Sequence, residues 1–496
     1  MEKKPDTPSF MNRLPLDVGA LAAKAYQLVI VIGEEALELI IALWILIMVE
    51  RAYGQQGVGI YSYLMALLYI VRYTANFGVA RHVEHEIAII GDDGPQGQRL
   101  ITSGYQTTVA TGLTAAILLI GTAGFDTAHT RIEERLAAYL IIGLALPLAN
   151  LNYFRLSILQ GLGQHARVAH LRICRYGILL GGMLVLTRLH VPPSYLLLAY
   201  LLSDIVMAVM IRRHLKLPGI RAVWQHPRHI VETLKRGNAY LFTDNGLDVL
   251  LNLDLFVLGL FVSAWDLGVY AEAAVIVRFF LIIPAGIKPI LRRRYNMMAA
   301  QAETATLYTL VRRRTSVLFS LHAILAVSVL LTYPAVLNFF FNTHGEEMLS
   351  FKIFSVFVPG LIFYGAFSAQ DSLYEAMGQV AHLRRLTMVT SGINVVLTFY
   401  LVPVAGFYGA AIATMFTMLL YFCFFGRDLI LPIQFEKITY IVAGLAVYLI
   451  YTLFGDWDLG IGAGYWLAPL LLWVLFYLIG LFGVPSGPSG PERAVV

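Results

Sequence analysis

Residues Val18–Met48 read VGALAAKAYQLVIVIGEEALELIIALWILIM. A helix crosses the hydrocarbon core of a bilayer, about 30 Å thick, with about 20 mostly apolar residues. This run is longer than that, and it lacks the strict alternation of a lipid-facing strand, so it predicts a membrane-spanning helix and excludes a closed barrel. Lys24, Gly33, Glu34, Glu35 and Glu38 interrupt it. A charge at mid-span costs at least about 2.5–3.5 kcal/mol on insertion scales, so these residues must face a cavity or a partner. The stretch sets both the fold class and the functional question.

Composition extends the reading to the whole chain. Of 496 residues, 58% are hydrophobic and 14% charged, with a mean hydropathy of +0.71. A water-soluble domain with this balance would expose far too much apolar surface. Cys174 and Cys423 both lie in apolar runs and read as small buried hydrophobes, not as a disulfide or metal framework. The basic start lacks a small-residue cleavage site and reads as a cytoplasmic tail. A net charge of +5 and a pI near 9.0 follow from basic loops between spans; they set orientation and do not indicate nucleic acid.

Measured by span length, the chain predicts an all-α polytopic membrane protein with about fourteen spans. They fall near 18–48, 57–78, 102–124, 135–160, 168–187, 194–211, 238–263, 268–290, 315–340, 350–374, 385–402, 406–426, 437–454 and 465–483. With the first end cytoplasmic, most Lys and Arg lie on that side, including Arg212, Arg213, Lys216, Arg221, Arg228, Lys235 and Arg236 in one loop. The opposite side holds only Arg51, Arg131, Arg135, Arg188 and Lys352. This asymmetry predicts cytoplasmic ends.

The sequence also repeats. Gly57-Val58-Gly59-Ile60-Tyr61 matches Asp266-Leu267-Gly268-Val269-Tyr270, and Gln160-Gly161-Leu162-Gly163-Gln164 matches Glu375-Ala376-Met377-Gly378-Gln379. Similar offsets on matching sides suggest two related six-helix halves about an axis along the membrane normal. The expected layout is a tail (1–17), a six-helix bundle (18–211), a basic linker (212–237) and a second six-helix bundle (238–426). Two more spans (427–483) and a disordered Pro/Gly/Ser-rich tail (484–496) complete it.

Asp254-Leu255-Phe256-Val257-Leu258-Gly259, followed by Leu267-Gly268-Val269-Tyr270, resembles the seventh-to-eighth helix signature of the polysaccharide-biosynthesis flippases. Asn394-Val395-Val396-Leu397, then Pro403, then Gly406-Phe407-Tyr408-Gly409-Ala410-Ala411-Ile412-Ala413-Thr414, resembles their later signature. That family shares a superfamily with lipid II flippases and multidrug and toxin extrusion transporters. The resemblance spans roughly residues 18–430 and implies two bundles around a central cavity. It also implies alternating-access export of an undecaprenyl-pyrophosphate-linked oligosaccharide across the bacterial inner membrane for surface polysaccharide. Membrane lipids and a polysaccharide polymerase are the partners it implies.

Independently of that resemblance, five cations fall inside spans: Arg278 near the midplane, and Lys24, Arg72, Arg155 and Lys288 in the cytoplasmic half. Arg holds a pyrophosphate as a bidentate fork and Lys as a point charge, so this graded set predicts a headgroup route. Snorkelling or pairing with acids is the structural alternative. Glu34, Glu35 and Glu38, and likewise Asp244 and Asp248 in the seventh span, can bind a coupling proton or Na+, or neutralise cations at similar depth. For the first-span glutamates, pairing with Arg72 or Arg278 is favoured. Sugar hydroxyls and rings have candidates in Asn76, Gln106, Asn150, Asn152 and Gln160 and in Tyr69, Tyr73, Tyr105, Tyr153 and Tyr364.

Gly33, Pro147, Pro284, Pro289, Pro359 and Gly360 are candidate bends. An ion-coupled multidrug extruder is the first alternative and would prefer an acidic cavity. A membrane-embedded glycan polymerase or ligase is the second, disfavoured by short external loops. No nucleotide loop, nucleophile elbow or metal-ligand spacing is present, and His82 and His85 alone do not make a metal site. The expectation is a transporter, not an enzyme, with no cofactor beyond the coupling ion.

Overall fold

The computed structural model describes residues 18–428, apart from residues 93, 124–131, 215–226, 239, 242–245, 281, 301–303, 341–346 and 369–370. The expected spans 437–454 and 465–483 and both tails lie outside the described residues. Every element among those described is helical, and seven helices are long and apolar enough to cross a membrane by length and composition. The protein is an all-α, multi-pass membrane protein.

Helix α1 (Val18–Asn76) covers the first two expected spans. As one straight helix it would run about 88 Å, nearly three bilayer cores. It breaks at Gly54, whose φ of 67° is open to glycine at little cost. The bend therefore falls between spans and not at Gly33, which α1 passes without leaving helical geometry. The short α2 (Val79–Ile90) follows, then α3 (Pro95–Thr122), α4 (Ile132–Gly161), α5 (His165–Arg188) and α6 (Leu197–His214). The expected linker contains a helix, α7 (Pro227–Gly237), which packs on α2 and α3 and bonds Thr233 Oγ1 to Ser103 Oγ at 3.2 Å.

The second half opens with α8 (Gly246–Phe261) and α9 (Ala264–Phe279). The expected span 268–290 is divided between α9 and α10 (Ile282–Ala300). His322 of α11 (Thr304–Phe340) brings Nε2 to 3.2 Å from the Phe280 carbonyl at that break. A neighbouring helix thus meets backbone that the break frees, as an apolar surrounding requires. Beyond it lie α12 (Glu347–Ser368), α13 (Asp371–Ala376) and α14 (Val380–Asp428). Helix α14 holds the last two described spans and turns at Gly406, φ 55°.

The two repeat motifs occupy equivalent geometry. Gly163 and Gly378 have φ of 74° and 72°. Each closes a helix by the same pair of bonds: Gly163 N to Gln160 O and Gln164 N to Leu159 O, both 2.9 Å, against Gly378 N to Glu375 O at 3.1 Å and Gln379 N to Tyr374 O at 2.8 Å. This is the left-handed glycine cap that ends many helices, built twice. The other pair lies where the halves meet. A Cβ on Gly59 would stand 1.8 Å from the Ala264 carbonyl oxygen, and one on Gly268 2.3 Å from that of Gln55. Helix α1 packs more extensively on α9 than any other described pair of helices does, and the repeated glycines allow that contact.

Candidate functional site

The residues quoted for the family resemblance converge on one carboxylate. Asp254 is 0% exposed in α8. Its Oδ2 accepts from the Tyr270 hydroxyl at 2.8 Å and from Thr414 Oγ1 at 2.5 Å, and its Oδ1 accepts from Thr398 Oγ1 at 3.3 Å. Asn394 Nδ2 donates to Thr414 Oγ1 at 2.9 Å, which leaves Asn394 Oδ1 buried with no hydrogen-bond partner. Helices α8, α9 and both arms of α14 therefore direct a carboxylate, three hydroxyls and an orphan amide oxygen to one place. No ion pair to Asp254 is present among the described residues. A buried carboxylate without a cation is costly, and an oxygen set of this kind suits a proton or a hard monovalent cation.

The first half has a different arrangement. Glu34, 2% exposed, pairs with Arg172 of α5 at 3.2 Å, and the Tyr176 hydroxyl reaches Glu34 at 3.3 Å and bonds Glu38. Arg175 pairs with Asp204 of α6 at 2.8 Å, and Asn152 of α4 donates to the Asp204 carbonyl at 2.8 Å. Tyr61 and Tyr200 share a hydroxyl–hydroxyl bond of 3.0 Å, with Arg278 within electrostatic range of Tyr61. Removing one member of a buried pair strands the other, a loss of about 3 kcal/mol. Asp204→Ala should therefore lower the thermal midpoint of the purified chain clearly, and Asp204→Leu combined with Arg175→Met should recover most of it. Scanning fluorimetry of both variants checks this.

A recess lies on the face that carries α7. Tyr69, Arg72, Tyr73, Asn76, Arg81, Tyr153 and Tyr240 line it, from α1, α2, α4 and the residues after α7. Tyr69 and Tyr73, one helical turn apart, stack with centroids 6.3 Å apart and an 8° interplanar angle. The Arg72 guanidinium lies 5.5 Å from the Tyr69 ring centre, a cation–π contact. Arg155, on α4, bonds the Tyr105 hydroxyl and stands near Arg212. Neither Arg72 nor Arg155 has a carboxylate partner among the described residues.

No family model matches the sequence, and no curated protein does. Solved structures match along nearly their whole length. The lipid II flippase MurJ in an inward closed conformation aligns at a TM-score of 0.70 and 13% identity, over 90% of this chain and 97% of that one. A multidrug-resistance MATE family transporter of the MOP superfamily, inward-facing, aligns at 0.66 and 14% identity, over 80% and 95%. A MOP superfamily transporter from Pyrococcus furiosus, described by a binding pocket of reverse polarity, aligns at 0.59 and 13% identity, over 82% and 96%. The chain has the MOP-superfamily fold.

Within the MOP fold the residues singled out from sequence are scattered over several sites. Lys288 of α10 pairs with Asp371 at 3.1 Å, and Tyr421 donates to the same carboxylate at 2.6 Å. Arg278 occupies the last turn of α9, where a cation suits the helix C-terminus. Glu34 pairs with Arg172 and not with Arg72 or Arg278. Lys24 and Glu35 are in α1 and Asp248 in α8, but their side chains, like all of Asp244, lie outside the described residues. Arg172 and Arg175 were missed because they sit near the start of the fifth span, where basic residues ordinarily mark a loop. Their spacing from an acid gave no cue, since Glu34 is 138 positions from Arg172.

Proposed function

We propose that the chain is a MOP-fold flippase of the bacterial inner membrane, moving an undecaprenyl-pyrophosphate-linked oligosaccharide to the outer leaflet by alternating access. The observation that carries this reading is the sign of the uncompensated charge. Glu34, Asp204 and Asp371 have Arg172, Arg175 and Lys288 as partners, whereas Arg72 and Arg155 have no carboxylate partner among the described residues: Arg72 lies by the Tyr69 ring, and Arg155 bonds Tyr105 near Arg212. A recess walled by the uncompensated Arg72 guanidinium and tyrosine rings suits a pyrophosphate with sugar attached, and it opposes a cationic drug; Arg155, on α4, adds a second uncompensated cation to the same half. The basic α7 face is then the cytoplasmic one, where the cargo is made, and both termini share that side.

The halves meet at Gly59 and Gly268 on the opposite face, so this conformation offers the recess inward. Asp254 and its oxygen neighbours are the seat of a coupling proton or Na+ in this scheme, in place of the glutamates of the first span. A polysaccharide polymerase is the partner that would take up the product.

The test is flipping of a fluorescent short-chain pyrophosphoryl oligosaccharide in reconstituted vesicles, read by loss of quencher access. Arg72→Ala with Arg155→Ala should slow it at least tenfold, since each charge-assisted contact is worth about 1.5–3 kcal/mol. Full flipping by the double variant would refute the reading, as would export of a lipophilic cation by the unmodified chain.

A further inference from the structure

His82 and His85 of α2 have no part in the scheme above. His82 is 3% exposed, yet both its ring nitrogens are buried with no hydrogen-bond partner. Its ring stacks on Tyr240, centroids 5.9 Å apart at 29°, and His85 meets the same tyrosine at 5.8 Å and 39°. Tyr240 belongs to the segment joining the two halves, just beyond α7, and it also lines the recess beside Arg72. Around it that segment is tied to both halves. Gly78 and Gly237 approach so closely that a Cβ on Gly78 would stand 2.3 Å from the Gly237 carbonyl oxygen, while Arg384 of α14 donates to the Asn238 carbonyl at 3.1 Å.

A neutral imidazole can serve here as an apolar disc. An imidazolium cannot, because it carries two N–H donors and a charge that this position leaves unmet. Besides Tyr240, on which it stacks, the charged or titratable groups acting on His82 are His85 and Glu86 of α2 and Arg236 of α7; none of these comes from α3 or α4, which also pack on α2. Burial, then Arg236 and His85, hold the His82 pKa below its ordinary value of 6.5, against the opposing pull of Glu86.

We propose that the His82–Tyr240–His85 stack is a proton-sensitive clamp, which fastens the segment between the halves at neutral pH and releases it when the α7 face acidifies. The sign follows from linkage. The clamped state binds fewer protons than the released one, so clamping is at full strength above the released-state pKa and weakens as pH falls through it. Released His82 titrates near 6.5, which places the onset just below neutrality. Tyr240 leaving the wall would reshape the recess beside Arg72, so acid load on this face would lower activity whatever the cargo.

Hydrogen–deuterium exchange of the full-length chain in micelles, corrected for the pH dependence of chemical exchange, tests the clamp without any substrate. In the unmodified protein the peptide covering Gly237, Asn238 and Tyr240 should exchange about tenfold faster at pH 5.5 than at pH 7.5, one unit below the released-state value. His82→Phe, which keeps a ring but cannot be protonated, should abolish that difference, and His85→Gln should largely preserve it. His82→Gln, should the phenylalanine variant not fold, should exchange fast at both pH values. An acid response that persists unchanged in His82→Phe or His82→Gln, or is absent from the unmodified chain, would overturn the proposal.

Discussion

Gly59→Ala is expected to drive the two halves apart on the face opposite α7. The added Cβ would stand 1.8 Å from the Ala264 carbonyl oxygen and 2.7 Å from its carbon, and backbone atoms cannot swing aside as a flexible side chain can. Overpacking at a close contact costs about 1–3 kcal/mol, and the upper figure is the relevant one where the obstacle is main chain. That is roughly a hundredfold shift against the closed arrangement. Spin labels across this face should report a longer mean distance and a larger open population. Gly268→Ala should act in the same direction, its Cβ falling 2.3 Å from the Gln55 carbonyl oxygen. The double variant should add little, because either change alone already removes the close approach. Gly177→Ala, where nothing lies within 4 Å, should leave the distances unchanged. Unaltered distances in Gly59→Ala would mean that the α1–α9 crossing does not define this state.

Asp254→Asn is expected to uncouple transport from its driving ion. The substitution keeps the size of the side chain and removes the charge on which Tyr270, Thr398 and Thr414 converge. Flipping in vesicles should then no longer accelerate when a Na+ or proton gradient is imposed, while the unmodified protein responds to one of them. Asp254→Ala is a harsher change, since it leaves buried hydroxyls without their acceptor at about 1–3 kcal/mol for each unsatisfied group. It should lower the thermal midpoint as well as activity. Asn394→Ala separates the two effects. Its Oδ1 has no partner to lose, so the amide contributes to folding only through Nδ2, toward Thr414 Oγ1 and the Asp254 carboxylate. It should cost little stability and weaken apparent cation affinity about tenfold, the loss of one ligand. A gradient response that survives in Asp254→Asn would move the coupling site elsewhere.

Hydropathy alone made the all-α, multi-pass architecture legible, because lipid imposes length and apolarity on each span separately. The bends were less legible. Gly33 lies inside a span and remains helical, whereas Gly54 and Gly406 do the turning, since a sharp turn needs a connection as well as a glycine. The α9–α10 break near Phe280 depends on His322 from another helix, which no local pattern records. Charge pairs were hidden for the same reason: helix packing selects Arg172 for Glu34 and Arg175 for Asp204. Asp254 was visible as an acid in an apolar run, but its partners lie up to 160 positions away, and only the fold reveals that the two quoted signatures form one cluster. The linker read as a charged loop because its basic residues outweigh the apolar face that α7 turns to α2 and α3.

The central claim is that the cargo is anionic, and binding measures it most directly. Calorimetric titration of the chain in nanodiscs would compare a short-chain prenyl pyrophosphate with a lipophilic phosphonium cation of similar size. The account predicts that the pyrophosphate binds at least tenfold more tightly, about 1.4 kcal/mol, and that Arg72→Ala with Arg155→Ala removes the preference. Tighter binding of the cation, strengthened in the double variant, would contradict it and place this MOP fold among the drug extruders.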